Sequence, residues 1–230
     1  MGMKSKIKKG GSIGWAVRRE LIEYNAKIAR ANLVAGAGGN TSAREGNVVW
    51  MKPSGFAMDE LAPEALCGLD LATGRQVYGK FKPTSEFNMH LAIYRARPDI
   101  VAVFHTHSPW AAGVITSGVR LRPMFAEFVN DLGRVGTVPY VTPTTTRLAD
   151  AMAAKARTCD TIFMVNHGVL AVGVTMKQAY YRVVVVEDAA KSLVAASVVG
   201  TPRFFSQAEI DEILSLDAVK FRSKMMAEGA

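Results

Sequence analysis

The segment Val101-Ala102-Val103-Phe104-His105-Thr106-His107 gives the clearest structural signal in this chain. Its first four residues are apolar, which is typical of a strand buried in a sheet. His105 and His107 follow at the polar end of that strand. Because residues i and i+2 of a strand point to the same side, both imidazoles can face one ion.

A third histidine follows a similar segment later in the chain. Residues 161–165 read Thr-Ile-Phe-Met-Val and predict a second buried strand, with His167 just beyond it. Three neutral imidazoles leave a metal with open positions for water, substrate or a carboxylate, as catalytic sites require. We therefore predict that His105, His107 and His167 bind a divalent metal ion. The alternative is three ordinary histidines that bind no metal.

Composition predicts a single-domain protein of the cytoplasm. Its 230 residues, 49% of them hydrophobic, can bury one large core, which we assign to residues 12–230. Four lysines among the first nine residues predict a flexible basic tail over residues 1–11. We find no signal peptide and no apolar run near the roughly 18 residues that span a membrane. Two widely separated cysteines fit reduced thiols in the cytoplasm.

The net charge of +8 raises the question of a nucleic-acid partner. Part of this charge lies in the predicted tail, and no basic-aromatic recognition motif follows it. A positive balance also suits a small anionic substrate that is drawn into a cleft. We expect the small anion and no nucleic acid.

The remaining pattern predicts helices on both sides of a sheet. Helices are expected over residues 12–35, 62–66, 85–97, 109–117, 146–157 and 175–199, with a last one from Ser206, where Ser206 and Glu209 form a capping-box pattern. Extended segments are expected over residues 47–51, 68–79, 101–105, 136–140, 161–165 and 169–173. The fold class is therefore α/β, with a central mainly antiparallel sheet flanked by helices.

Five short motifs together resemble one known family. They are Gly38-Gly39-Asn40-Thr41-Ser42-Ala43-Arg44, Lys52-Pro53-Ser54-Gly55, Pro83-Thr84-Ser85-Glu86, His105-Thr106-His107 and Asn166-His167-Gly168. Each motif alone is weakly specific, whereas five in this order and spacing are strongly specific. Nearly the whole chain thus resembles the class II aldolase and sugar-phosphate epimerase family, which includes fuculose-1-phosphate aldolase-like and adducin head-like proteins.

The resemblance implies a fold, a cofactor and an assembly. It implies a three-layer α/β/α fold, a divalent metal (usually Zn²⁺, otherwise an ion such as Mn²⁺ or Co²⁺) and a homotetramer with sites between subunits. His105, His107 and His167 match the family's metal ligands. Glu86 matches its acidic catalytic residue, which can shuttle a proton beside the metal. A glutamate favoured by the dipole at a helix start is the alternative reading of Glu86.

Three loops match those that hold the substrate phosphate in the family's aldolases. Their residues are Gly39, Asn40, Ser54, Gly55, Thr84 and Ser85. Glycines let backbone N–H groups converge, and hydroxyl and amide side chains add donors without bulk. Ordinary turns rich in Gly, Pro and Ser are the alternative. His90, four residues after Glu86 on the same helical face, is expected to be a structural histidine.

The chain departs from the family pattern at two places. The aldolases carry a catalytic tyrosine where this chain has Glu127, and the epimerases have an acid near this point, so Glu127 is a second catalytic candidate. The family's late tyrosine has no counterpart, because no tyrosine follows Tyr181. Tyr140, Arg147 and Phe128 are candidates for contacts from a neighbouring subunit.

These observations predict a metal-dependent lyase that cleaves a C–C bond through a metal-stabilised enediolate. We expect a class II aldolase acting on a small ketose phosphate. The alternatives are a decarboxylase of an oxo acid or a hydroxylated aromatic acid, a sugar-phosphate 4-epimerase, and a scaffold that binds metal and sugar phosphate without catalysis.

Overall fold

Helices and strands cover most of this computed structural model, which describes residues 13–228. The tail predicted for residues 1–11 lies outside the described residues. The strands are β1 (Asn40–Glu45), β2 (Val48–Met51), β3 (Cys67–Asp70), β4 (Gln76–Tyr78), β5 (Ala102–Thr106), β6 (Val135–Val138), β7 (Thr161–Met164) and β8 (Gly168–Gly173). The helices are α1 (Trp15–Arg30), α2 (Phe87–Ala96), α3 (Pro109–Thr116), α4 (Ala126–Asp131), α5 (Thr146–Ala156), α6 (Met176–Val199), α7 (Gln207–Ser215) and α8 (Asp217–Glu228), with a 3₁₀ turn at Pro63–Ala65.

The strands form one sheet in the order β4-β3-β2-β1-β5-β8-β7-β6. Each neighbouring pair is antiparallel except β6 and β7, which run parallel. The strand that carries the two histidines, β5, lies near the centre between β1 and β8. The predicted mainly antiparallel sheet is confirmed.

Helices cover both faces of the sheet because its central strands are apolar on both sides. Val103 of β5 belongs to an apolar cluster that also contains residues of α2 and α5. Phe104, its neighbour in sequence, points to the opposite face and packs with residues of α1 and α6. A third cluster, from α3, α4 and α6, extends that second layer. The predicted three-layer α/β/α architecture is confirmed.

The first helix is shorter than its apolar pattern suggests. The expected helix over residues 12–35 is observed only as α1, Trp15–Arg30. Asn32 takes a left-handed conformation with φ of 55°, which an α-helix cannot contain. The chain then turns into a loop that leads to β1. In contrast, the run of four valines at 183–186 lies inside α6, as expected.

The central strand β1 is absent from the sequence prediction because its residues are polar. Its sequence is Asn-Thr-Ser-Ala-Arg-Glu, yet its first four residues are buried. The Thr41 hydroxyl donates to Asn25 Oδ1 over 2.6 Å, and Ser42 Oγ lies 2.7 Å from His90 Nδ1. Hydrogen bonds between side chains therefore replace the apolar packing that normally identifies a central strand.

The C-terminal region contains one more helix than expected. The capping box at Ser206 and Glu209 is present and starts α7, as predicted. An unpredicted helix, α8, follows it directly, and the Thr175 hydroxyl donates to the Met226 carbonyl oxygen over 2.8 Å. No helix among residues 13–228 combines the length and apolarity that crossing a membrane requires.

Candidate metal centre and substrate pocket

The three predicted histidines meet where β5 ends and β7 turns into β8. His105 is the fourth residue of β5 and His107 follows its end, so their rings lie on one side. His167 lies in the short connection between β7 and β8, where Asn166 adopts a left-handed conformation. One nitrogen from each of the three rings lies within 4.8 Å of the others.

Hydrogen bonding and burial favour the neutral form of His105, and burial favours that of His107. The Nδ1 of His105 lies 3.0 Å from the Val169 carbonyl oxygen, which can only accept, so Nδ1 carries the proton and Nε2 keeps its lone pair. Burial, followed by the neighbouring His167 and His107, holds the pKa of His105 well below its usual range. The pKa of His107 is also lowered, chiefly by burial and then by His167.

The geometry of the ring nitrogens fits a single bound cation. The Nε2 atoms of His105 and His107 lie 3.1 Å apart. Two nitrogens bound to one ion at about 2.0–2.1 Å lie roughly 3 Å from each other. His105 Nε2 carries a lone pair, so in the metal-free protein it can accept a hydrogen bond from His107 Nε2, and a bound ion would replace that hydrogen bond. The donor set therefore fits a divalent metal.

Glu86 brings a carboxylate to the same point. It occupies the N-cap position of α2, which begins at Phe87, so the helix start expected at Ser85 lies two residues later. Its Oε2 accepts a hydrogen bond from Asn40 Nδ2 over 3.0 Å and lies 3.4 Å from His105 Nε2. Its Oε1 lies 3.5 Å from His167 Nε2 and accepts no hydrogen bond from the described residues. This buried oxygen is free for a metal, a proton or a substrate hydroxyl.

The predicted substrate loops and the histidine cluster share one pocket of about 310 Å³. Its walls include all the predicted loop residues, which are Gly39, Asn40, Ser54, Gly55, Thr84 and Ser85. They also include Glu86, His107 and His167, so the loops face the candidate metal centre. Gly39 has φ of 65°, and a Cβ there would lie 2.9 Å from the His105 carbonyl oxygen. Only glycine allows this loop to approach the histidine strand so closely.

Lys52 is a pocket residue that the sequence prediction missed. It is 2% exposed, it lines the pocket, and its Nζ donates to the Ala37 carbonyl oxygen over 2.9 Å. Burial lowers its pKa to about 8. Its position directly after an apolar strand and before Pro53 was the available signal. The pocket therefore contains a cation besides any bound metal.

Glu127 is not brought to this pocket within one chain. It is exposed in the first turn of α4. Burial raises the pKa of Asp131 in the same helix, and the negative charge of Glu127 adds to that shift. Glu127 therefore lies outside the pocket of its own chain.

The three candidates for contacts between subunits differ in exposure. Tyr140 and Arg147 are exposed and can reach a neighbour. Phe128 is 5% exposed and packs in the apolar cluster of α3, α4 and α6. Phe128 is therefore the least accessible of the three candidates.

Comparison with known proteins points to one family. The sequence model of the class II aldolase and adducin N-terminal domain matches residues 19–194. The 5-deoxy-D-ribulose 1-phosphate aldolase of Bacillus thuringiensis serovar kurstaki is 33% identical over 199 residues, covering 85% of this chain and 92% of that protein. The L-fuculose phosphate aldolase of Methanococcus vannielii is 35% identical over 173 residues, covering 75% and 93%. A solved L-fuculose 1-phosphate aldolase superposes with a TM-score of 0.80 at 28% identity, covering 90% and 96%.

Proposed function

This chain belongs to the class II aldolase and adducin N-terminal domain family, and we propose that it is a metal-dependent aldolase that cleaves a small ketose phosphate. The single observation that carries this proposal is the meeting of three imidazoles and the Glu86 carboxylate beside one pocket of about 310 Å³. The relatives named as aldolases of 5-deoxyribulose 1-phosphate and fuculose phosphate suggest a ketose 1-phosphate as the substrate.

The metal we propose is Zn²⁺, held by His105, His107 and His167. Three nitrogen ligands with open positions are the donor set of catalytic zinc, and Mn²⁺ or Co²⁺ can bind the same set. When bound, the ion supplies a Lewis acid for the carbonyl and hydroxyl oxygens of the substrate.

The loops and Lys52 hold the phosphate in this proposal. Backbone N–H groups near Gly39 and Gly55 and the hydroxyls of Ser54, Thr84 and Ser85 supply hydrogen-bond donors. Lys52 adds a positive charge in a buried place, where it acts more strongly than on the surface. Phosphate binding then fixes the distance between the reacting carbons and Glu86.

Glu86 moves the proton. Cleavage of the C–C bond turns one hydroxyl-bearing carbon into an aldehyde, and the bond's electron pair passes to the neighbouring carbon of the enediolate. We propose that Glu86 takes up the hydroxyl proton and returns it to that carbon, so the reaction needs no outside acid or base. Oε1 is the oxygen suited to this task, because Oε2 already accepts from Asn40.

The test is a turnover assay with two separate readouts. Metal-loaded protein is incubated with ketose 1-phosphates and with oxo acids, and aldehyde and carbon dioxide are measured separately. Aldehyde release supports the aldolase, whereas carbon dioxide without aldehyde replaces it with a decarboxylase. Glu86→Gln should bind metal as the wild type does and lose turnover. A Glu86→Gln variant that keeps turnover would show that Glu86 only begins α2 and takes no part in proton transfer.

We propose that the protein is a homotetramer in which Glu127 serves the pocket of an adjacent subunit. Exposed Glu127, Tyr140 and Arg147 are available for such contacts. Native mass spectrometry gives the subunit number directly. Mixing inactive Glu86→Gln and Glu127→Gln subunits should restore part of the turnover in hybrids, because some sites then combine two intact residues. Full turnover of Glu127→Gln alone would contradict this role.

We also propose that the enzyme works in the cytoplasm. Among the described residues Cys67 and Cys159 are both buried free thiols, as expected in a reducing compartment. Cell fractionation with an antibody against the protein tests the location.

A further inference from the structure

A chain of buried polar side chains leads from α2 through β1 to Glu86. The Tyr94 hydroxyl lies 3.0 Å from Ser42 Oγ, which lies 2.7 Å from His90 Nδ1. His90 Nε2 lies 2.5 Å from Asn40 Oδ1, and Asn40 Nδ2 donates to Glu86 Oε2 over 3.0 Å. None of these five residues is more than 5% exposed. These hydrogen bonds are therefore largely shielded from bulk water.

The chemistry of these groups fixes the direction of the three hydrogen bonds between Glu86 and Ser42. An ionised Glu86 only accepts, so Asn40 must present its NH₂ group to Glu86 and its Oδ1 to His90. An amide oxygen also only accepts, so His90 carries its proton on Nε2. Its Nδ1 then accepts from the Ser42 hydroxyl. The ring stays neutral near pH 7, because burial lowers the pKa of His90 to about 3.

We propose that His90 is a positioning residue, which through Asn40 reserves Oε2 of Glu86 as an acceptor and leaves Oε1 as the oxygen that exchanges protons. Removing the Nε2–H donor would free the Asn40 amide to rotate and turn Oδ1 toward the carboxylate. Two acceptors would then oppose each other, and Glu86 would lose its fixed orientation. This inference rests on the proposed aldolase function. It assigns the Asn40 side chain to Glu86 rather than to the substrate phosphate.

A matched pair of substitutions separates positioning from simple packing. In His90→Gln the amide nitrogen falls near the place of Nε2 and can still donate to Asn40. In His90→Asn the shorter side chain reaches the place of Nδ1, so it keeps the contact with Ser42 and loses the one with Asn40. We expect His90→Asn to lower kcat by about 10–100-fold with KM little changed, the usual effect of removing such a partner. We expect His90→Gln to retain most of kcat. Equal kcat in the two variants would overturn the proposal.

A second measurement needs neither turnover nor a His90 variant. Nitrogen-15 NMR of the unmodified protein reports which ring nitrogen of each histidine is protonated. The chain has four histidines, so spectra of His105→Ala, His107→Ala and His167→Ala identify the His90 signals by elimination. We expect a neutral His90 ring with its proton on Nε2 at pH 7. A proton on Nδ1, or a doubly protonated ring, would overturn the proposal even if the enzyme is an aldolase. Absence of ketose phosphate cleavage in the wild type would instead contradict the proposed function.

Discussion

Gly168 lies so close to Thr106 that a Cβ at position 168 would overlap the Thr106 carbonyl oxygen. The same Cβ would lie 3.2 Å from His105 Cε1 and 3.3 Å from His107 Cδ2. Gly168 begins β8, next to the candidate ligand His167, so β8 can approach β5 here only without a side chain. The absence of a side chain at position 168 therefore allows β8 to lie this close to β5.

Gly168→Ala should separate the ligands. Because the overlapping atom belongs to backbone, the strand itself must move, and we expect metal affinity to fall by about tenfold or more. Titration against a competing chelator measures the affinity. Gly113→Ala is the matched control, since a Cβ there meets no atom within 4 Å and alanine favours its helix. Equal metal affinity in both variants would disprove the expectation.

Lys52 should make substrate capture sensitive to alkaline pH. Its pKa is lowered to about 8 by burial, so the side chain is charged below that pH and neutral above it. We expect kcat/KM for a ketose phosphate, which reports the free enzyme, to fall as the pH rises through about 8. Lys52→Met should show low kcat/KM throughout, and Lys52→Arg should hold its value to higher pH because guanidinium stays charged. Lys191→Met, at an exposed position of α6, serves as the control.

Stability of the metal-free protein should fall in acid because histidines are buried in the neutral form. The pKa values of His105 and His107 are lowered and that of His90 falls to about 3, all chiefly through burial. In the unfolded chain the pKa of a histidine is about 6.5. Below that pH the unfolded state binds more protons, so the free energy of unfolding decreases as pH falls from about 6.5 toward 3. Above about 6.5 this contribution is fully present.

Urea unfolding at pH 7.5, 6.5 and 5.5 measures this effect. Each buried neutral histidine adds up to about 1.4 kcal/mol per pH unit to the slope. In a His90→Gln variant the free energy of unfolding should therefore depend less steeply on pH, by up to about 1.4 kcal/mol per pH unit. A free energy of unfolding that stays constant over this range would rule out the neutral state of these rings.

Glu187 should stabilise the helix that follows the histidine strand. This buried carboxylate of α6 accepts from the backbone N–H of Trp110 over 3.2 Å and from that of Ala111 over 3.0 Å. Glu187→Ala leaves both donors without that acceptor, and we expect a loss of about 1–3 kcal/mol in the free energy of unfolding. Chemical denaturation measures it. Asp188→Ala, at the exposed neighbouring position, should change it by no more than about 0.5 kcal/mol.

The apolar elements could be predicted because local pattern and tertiary packing agree there. The segment at 101–107 is found as β5, with Val103 and Phe104 packed on opposite faces. The valine run at 183–186 lies inside α6, as its neighbours in sequence indicated. The burial of such segments can be predicted from their own residues, because a segment that is buried on both faces needs apolar residues throughout.

The polar elements could not be predicted in this way. Strand β1 is central in the sheet, but its side chains are satisfied by hydrogen bonds to α2 and α1 rather than by apolar contacts. Lys52 looks like a surface lysine in sequence and is nearly inaccessible in the structure. His90, expected to be structural, lies in direct contact with Asn40. The hydrogen bond between His90 and Asn40 joins residues 50 positions apart, so no local sequence pattern indicates it.

The sequence by itself determined helices on both sides of a sheet and the histidines at the strand ends, because hydrophobic periodicity and the alternation of side chains along a strand are local properties. Tertiary structure alone decided which oxygen of Glu86 stays free, that Lys52 enters the pocket, and that Glu127 lies outside it. The physical reason is that orientation, burial and hydrogen-bond partners arise only when distant segments pack together.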